Sequence, residues 1–224
     1  MTMTDDRSVA GRIPEAMSMR GLAGKRDYVR SLENRRDEEA MSLLIECLCD
    51  ESWYLRELAE EALFHMGARS GPALVPLLDQ GLWYSRASAA RVLGRIGHRS
   101  AIGALVALTE DPVQTVRQEA YATLAVLAGQ GGRVHLAWAL QQLPPERRAE
   151  RLEGLTSVDR MLAERLQRLF ERDELRTATD PEGLRDDAPW VRACEEGMTW
   201  DDLPPSPPGR STDSTNRPET AAQG

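Results

Sequence analysis

The sequence predicts an all-α fold: a right-handed α-solenoid of stacked antiparallel helix pairs, with disordered segments at both ends. Three observations lead to this prediction. Hydrophobic residues make up 41% of the 224 residues but only two are Phe, and a core so poor in aromatic side chains favours helix-on-helix packing. Apolar residues recur at helical spacing. The same pattern returns about every thirty residues, which is typical of repeat proteins.

The repeat is clearest when Arg56, Arg86 and Arg117, spaced by 30 and 31 residues, are superposed. Each arginine is followed at fixed distances by a small residue and then by a leucine. These positions are Ala59, Ala89 and Ala120, and then Leu63, Leu93 and Leu124. Upstream, Leu44, Leu74 and Leu105 correspond. Each repeat is thus expected to be a first helix, a turn and a longer second helix, and stacking of repeats buries the apolar faces.

The repeats define the expected domain organisation. Residues 1–24 are predicted to be flexible, and 25–174 to form the repeat domain. That domain comprises a capping helix over 25–36, three clear repeats over 40–131, a degenerate fourth repeat and a final helix capped by Thr156 or Ser157. The final helix has an apolar stripe that suits either a lid or a weak homodimer seam. Residues 175–224 are acidic and Pro-rich, and we expect them to be disordered.

Two segments carry a resemblance to a known family. The runs SRASAARVLGRIG, from Ser85 to Gly97, and TEDPVQTVRQEAYATLAVLAG, from Thr109 to Gly129, resemble bacterial HEAT repeats of the short, phycobilisome-lyase-like kind. The resemblance implies that an acidic residue in each turn pairs with the arginine that starts the second helix. It implies the pairs Asp50–Arg56 and Asp111–Arg117, and Asp79 with Arg86. We expect these pairs to form a ladder that links neighbouring repeats. The family hosts many roles, so the resemblance indicates fold more than function.

A candidate binding site follows from aromatic residues at equivalent positions. Trp53–Tyr54 and Trp83–Tyr84, here called the aromatic patch, precede the first two aligned arginines, and the third repeat has Gln114–Thr115 instead. Trp and Tyr are common interface anchors. We expect the patch, flanked by the row Arg56, Arg86 and Arg117, to bind a protein partner. The alternative is that one member of each pair packs between repeats and that the arginines are structural.

A second candidate site lies in the tail, over residues 186–203. Asp187 is expected to cap a short helix with Trp190, Val191, Cys194 and Met198 on one side, and Trp200 follows. A docking motif made of Trp190, Val191, Met198 and Trp200 would bind a partner or fold back on the solenoid. An idle tail is the other interpretation.

Several function classes are disfavoured. The net charge is −8 and no segment is strongly basic, which argues against a nucleic-acid partner. No apolar stretch reaches 18 residues, so no membrane association is expected, and the lack of a secretory signal predicts a cytoplasmic protein. The resemblance to bacterial HEAT repeats implies a bacterial source. Cys47 and Cys49 diverge on a helix, and we expect no metal. The sequence has no phosphate-binding loop or HExxH motif, so no cofactor or catalytic residue is expected.

The favoured function is therefore a non-enzymatic protein–protein interaction adaptor or scaffold. One alternative, implied by the resemblance, is a bilin-lyase-like enzyme or chromophore chaperone. Another is a helical-repeat DNA repair glycosylase, against which the missing basic groove argues.

Overall fold

The computed structural model describes residues 22–33, 35 and 37–196, and within these residues the chain is helical without a strand. Helices pack as successive pairs, and each second helix also lies against the second helices of the neighbouring repeats. The predicted all-α solenoid is confirmed.

The first half of the array contains the cap and two repeats. Its helices are α1 (Leu22–Glu33), α2 (Glu38–Leu48), α3 (Trp53–Met66), α4 (Gly71–Leu74), α5 (Leu77–Gln80) and α6 (Trp83–Arg95). The cap α1 ends earlier than the sequence predicts because Asp37 leaves the helical path: its carboxylate accepts the Ala40 N–H and starts α2. Pro76 separates α4 from α5 because it has no N–H to donate, although the backbone there keeps helical angles.

The second half contains the last two repeats and a C-terminal segment. Its helices are α7 (Ile102–Leu108), α8 (Gln114–Leu127), α9 (Arg133–Gln141), α10 (Pro145–Val158), α11 (Arg160–Phe170), α12 (Asp173–Thr177) and α13 (Pro189–Glu196). The expected cap of α11 was wrong. Thr156 and Ser157 lie inside α10, and the carboxylate of Asp159 accepts the Leu162 N–H instead.

One continuous apolar core runs through the array. The residues that recur in each repeat lie at the centre of this core. The three aligned alanines and the three upstream leucines are fully buried, and the three downstream leucines are nearly so. Alanine at the third position lets second helices approach closely, which is why α6 and α8 have the most extensive contact between any two helices of the described chain. The fourth repeat departs from this pattern, since Arg151 replaces the alanine. Arg151 is buried and pairs with Glu110 from the preceding repeat.

The C-terminal segment differs from the expectation of disorder from residue 175. Residues 173–196 fold back over α9 and α11. Leu175 and Val191 enter the core, the Trp138 indole N–H donates to the Ala178 carbonyl at 3.0 Å, and the Asp186 carboxylate accepts the backbone N–H groups of Arg133 and Val134. The two hydrogen bonds to Asp186 satisfy backbone N–H groups at the start of α9, where a helix has no internal acceptors for them.

Helix α11, which the sequence predicts to be the final helix, buries most of its apolar stripe. Leu162, Leu166 and Leu169 are buried, whereas Met161 at its start and Val158 before it stay exposed. The stripe is thus used as a lid within the chain. None of the described helices has the length and apolar character needed to cross a bilayer.

Candidate functional site

The aromatic patch lies at one edge of the array, where the turn within a repeat leads into its second helix. Trp53 and Tyr54 open α3, and Trp83 and Tyr84 open α6. Both helices start from an extended residue without a side-chain cap. Because α3 and α6 pack side by side, the two pairs belong to one surface, about 10 Å apart by the usual spacing of packed helices.

The two tryptophans face solvent. Trp53 is 68% exposed and Trp83 is 47% exposed, and both are among the most exposed large apolar side chains in the described residues. Leu82, just before Trp83, is 51% exposed and extends the apolar surface. Leu82 was not among the residues predicted from the sequence. Its place at the helix-capping position equivalent to Ser52 was a signal, because an apolar residue there gains nothing from capping.

The two tyrosines face the preceding repeat. The Tyr84 hydroxyl donates to the Cys49 carbonyl at 3.4 Å, and the Arg56 guanidinium lies 4.6 Å from the centre of its ring. Burial, with a contribution from the Glu51 carboxylate, raises the pKa of Tyr84. The side chain of Tyr54 lies beside Arg26 of the capping helix and raises the pKa of that guanidinium. Each Trp–Tyr pair therefore combines both interpretations: the tyrosine packs between repeats and the tryptophan is exposed.

The rings within each pair hold each other in place. Trp53 and Tyr54 meet edge to face with centroids 5.8 Å apart, and Trp83 and Tyr84 do the same at 5.5 Å. Edge-to-face contacts of this kind stabilise a pair beyond the area that it buries. Because Tyr84 is fixed to the preceding repeat, Trp83 is presented on a rigid support.

The three aligned arginines have structural roles. Arg56 donates to the carbonyls of Asp50 and Glu51, and Arg117 donates likewise to those of Asp111 and Pro112. These bonds close the turn before each second helix, because they occupy carbonyls that would otherwise need water. Arg56, Arg86 and Arg117 are thus used by the fold and do not form a free row.

The expected pairing of acidic residues with these arginines was wrong in detail. The Asp111 carboxylate pairs with Arg86 of the preceding repeat, at 2.6 and 2.9 Å, and not with Arg117. Arg86 also donates to the Gly81 carbonyl. Asp50 accepts the Ser52 N–H rather than a guanidinium, and Asp79 makes no ion pair within the described chain. The spacing correctly placed Asp111 in the turn before Arg117, but the arginine that pairs with it is Arg86 of the preceding repeat.

Asp111 is the most tightly held of these carboxylates. It is buried, which opposes ionisation, but hydrogen bonds from Arg86 and from the Val113 N–H outweigh burial and lower its pKa. The pair is bidentate and fixes the third repeat against the second.

A second line of ion pairs crosses the second helices away from the aromatic patch. Arg91 bridges Glu60 of the preceding repeat and Glu119 of the following one, at 2.8 and 2.9 Å. Arg95 pairs with Glu61 and lies over the Phe64 ring. The sequence did not reveal this line, because no register position along it carries the same charge in successive repeats: Glu61, for example, is equivalent to Arg91.

The structure describes only part of the predicted docking motif of Trp190, Val191, Met198 and Trp200. Trp190 and Val191 lie in α13, where Val191 is fully buried and Trp190 half-buried. They fold back on the solenoid, as one of the two docking alternatives requires. Met198 and Trp200 lie outside the described residues. The cleft beside this segment is lined by Arg99, His135 and Asp186, and the Asp186 carboxylate in it is already committed to the start of α9.

The described residues were also considered as metal ligands and as nucleophiles. No group of three or more His, Cys, Asp and Glu side chains there is placed to hold a metal ion. Burial raises the pKa of the Cys47 thiol to about 12, so this thiol is protonated at neutral pH and is a poor nucleophile.

Two of the three comparisons with known proteins found a similarity. Residues 71–165 match the family model of HEAT repeats, in agreement with the stacked helix pairs of this region. A search of curated proteins found no match. Among solved structures, a chain from the complex of CpcE and CpcF of phycocyanin lyase from Nostoc sp. PCC7120 is similar, with 21% identity and a TM-score of 0.36. The alignment covers 68% of this chain and 75% of that chain.

Proposed function

We propose that this chain is a non-enzymatic adaptor whose HEAT-repeat array holds a partner protein at the aromatic patch. The observation that carries the proposal is the exposure of Trp53 and Trp83 at equivalent positions of successive repeats. Large apolar side chains that stand in solvent beside one another commonly mark an interaction surface. A cytoplasmic location and a bacterial source stay predictions of the sequence.

Rigidity supports the same function. Each tryptophan packs edge to face on its neighbouring tyrosine, and Tyr84 is in turn hydrogen-bonded to the preceding repeat. A side chain that is already held in its bound position loses little conformational entropy on binding, so more of its contact energy appears as affinity. Tryptophan is also the residue type most enriched among the anchors of protein interfaces.

The test compares the full chain with the variant Trp53→Ala/Trp83→Ala as baits in a cell lysate. The matched control is Val126→Ala/Met161→Ala, since those two side chains are 46% and 56% exposed elsewhere on the surface. Circular dichroism should show unchanged helicity in all three proteins. We expect a partner that is retained by the full chain and the control and is lost from the tryptophan variant.

Two results would count against the proposal. A partner that all three baits retain equally would place the interface elsewhere. An absorbance change on mixing the full chain with a bilin, kept in the tryptophan variant, would favour the chromophore-related alternative instead. The tyrosines are left intact because their replacement would also weaken contacts between repeats.

A further inference from the structure

We infer that the aromatic patch recognises an arginine-bearing basic segment of its partner. This inference rests on the proposed function and specifies the chemistry of what binds there. Besides the exposed indole rings, two features of the edge lead to it: carboxylates without ion pairs, and cations that are already engaged.

The first feature is a set of exposed carboxylates around the tryptophans. Glu51 lies two residues before Trp53, Glu57 lies one helical turn after it, and Asp79 lies four residues before Trp83. None of the three belongs to an ion pair among the described residues, unlike Glu60, Glu61 and Glu119 on the second helices. The Glu51 carboxylate also acts electrostatically on Tyr84, which places its charge at the patch itself.

The second feature is that nearby cations are already bound to other groups. Arg56 donates to two turn carbonyls and covers the Tyr84 ring. Arg86 is held by Asp111 and the Gly81 carbonyl, and Arg26 by Asp27. Arg56 keeps its positive charge because the carbonyls that it bonds are neutral, but the carboxylates of Glu51, Glu57 and Asp79 outnumber it. The net charge that this edge presents to a partner is therefore negative.

Exposed indoles beside carboxylates suit a guanidinium. The face of an indole attracts a cation within about 6 Å, and tryptophan is the strongest of the aromatic side chains in this respect. A guanidinium can stack on the ring while its N–H groups reach a carboxylate, which an ammonium does less well. The fold uses the same contact internally, with Arg95 4.0 Å from the Phe64 centroid and Arg148 5.2 Å from that of Phe170.

Charge also argues against other occupants. An acidic segment or a nucleic-acid backbone would meet these carboxylates with repulsion. Residues 197–224 of the chain itself carry four acidic and two basic residues, a net charge of −2. A basic segment from a different protein is the complementary choice.

The probe for the inference is a fluorescein-labelled twelve-residue peptide with arginine at every third position, separated by Gly and Ser. Three counterparts replace each arginine by lysine, by the neutral isostere citrulline or by Glu. Fluorescence anisotropy with the full chain should give the tightest binding for the arginine peptide and at least tenfold weaker binding for citrulline. Raising the salt from about 0.05 M to about 0.5 M should weaken arginine binding strongly because exposed charges are screened.

Variants of the protein then separate the contribution of the carboxylates to binding from that of the tryptophan rings. Glu51→Gln/Glu57→Gln/Asp79→Asn keeps both tryptophans and should weaken binding of the arginine peptide about tenfold. The control Glu146→Gln/Glu153→Gln/Glu171→Gln makes the same change of net charge at exposed positions on the fourth repeat and just after α11, and should bind like the full chain.

The outcomes distinguish this inference from the proposed function. Equal binding of the citrulline or Glu peptide, or no binding of the arginine peptide, overturns the inference. So does full binding by the carboxylate variant. If a lysate partner is lost with Trp53→Ala/Trp83→Ala but kept with the carboxylate variant and at high salt, the adaptor function stands and the basic-segment inference fails.

Discussion

The ion pair between Asp111 and Arg86 is the best-defined link between two repeats at the scale of single residues. The Asp111 side chain is 5% exposed and that of Arg86 is 16% exposed, so solvent screens the pair weakly. The same carboxylate also accepts the Val113 N–H. Its loss would leave a guanidinium in a partly buried site with only the Gly81 carbonyl as a partner.

We predict that Asp111→Asn lowers the free energy of unfolding by about 1–3 kcal/mol, the range for a charged hydrogen bond whose partner stays behind. Urea unfolding followed by circular dichroism measures this change. Glu61→Gln is the control, since Glu61 is 48% exposed in its pairs with Arg95 and His65. The control should change stability by less than about 0.5 kcal/mol. Equal effects of both substitutions would contradict the role given to burial.

The same pair has a definite dependence on pH. The pKa of Asp111 is lower in the folded chain than its ordinary value of about 3.9, so its ionised form stabilises the fold. This contribution is fully present above about pH 5 and is lost as the pH falls through the ordinary value towards the folded one. Asp111→Asn should therefore show its full deficit at neutral pH and a shrinking deficit on acidification.

The Trp–Tyr pairs show what a sequence can and cannot predict at this scale. Their equivalence in successive repeats follows from the alignment of Arg56 with Arg86. Neighbouring residues on a helix point about 100° apart, so the two members of a pair face different surroundings. Which of them faces solvent depends on where the preceding helix lies. Only the position of the Cys49 carbonyl and of Arg56 beside Tyr84 decides that the tyrosine packs and the tryptophan is free.

At the scale of elements, the segment from α12 to α13 closes the open end of the array. The last repeat has no following repeat to cover it, and terminal units of solenoids need a different cap. Leu175 and Val191 supply the apolar contacts, and Asp186 supplies the acceptor for the start of α9.

We predict that Val191→Asp releases this segment and costs about 3 kcal/mol or more, since it places a carboxylate in an apolar site. Hydrogen exchange at the amides of Arg133 and Val134 should accelerate, because Asp186 leaves with the segment. The control Val126→Asp makes the same replacement at a side chain that is 46% exposed and should change stability by less than about 1 kcal/mol. Unchanged exchange at α9 in Val191→Asp would refute the capping role.

Composition misled the prediction for this segment for a physical reason. Averaged over residues 175–224, apolar side chains are too few to form a core of their own. The segment does not need one, because α9 and α11 already present a formed surface, and a few buried contacts suffice to hold it. Repeats are easier to predict because each one repeats the pattern of its neighbour.

At the scale of the whole molecule, the repeat period fixed most of the architecture in advance. Leu44, Leu74 and Leu105 fall in the core because stacking leaves them no other environment. The ion pair between repeats was harder to predict, since all three arginines bond to their own turns but only Arg86 also reaches forward to a carboxylate, that of Asp111. That choice depends on three-dimensional distances between repeats, which spacing along the chain does not contain.

The association state follows from how the final helix is covered. Leu166 and Leu169 of α11 are buried, partly by α13, and the exposed Val158 and Met161 are too few for a stable dimer interface, which needs about 800 Å² from each partner. The full chain is therefore expected to be a monomer at micromolar concentration. A chain that ends at Arg172 lacks α12 and α13 and uncovers the apolar surface of α9 and α11.

We predict that this truncated chain self-associates, since a contiguous apolar patch is left in solvent. Size-exclusion chromatography with light scattering should give twice the monomer mass or more for the chain ending at Arg172. A chain ending at Glu196 keeps the cap and should stay monomeric, which separates loss of the cap from loss of residues beyond it. A dimeric full chain with a monomeric truncation would instead place the self-association surface on the C-terminal segment.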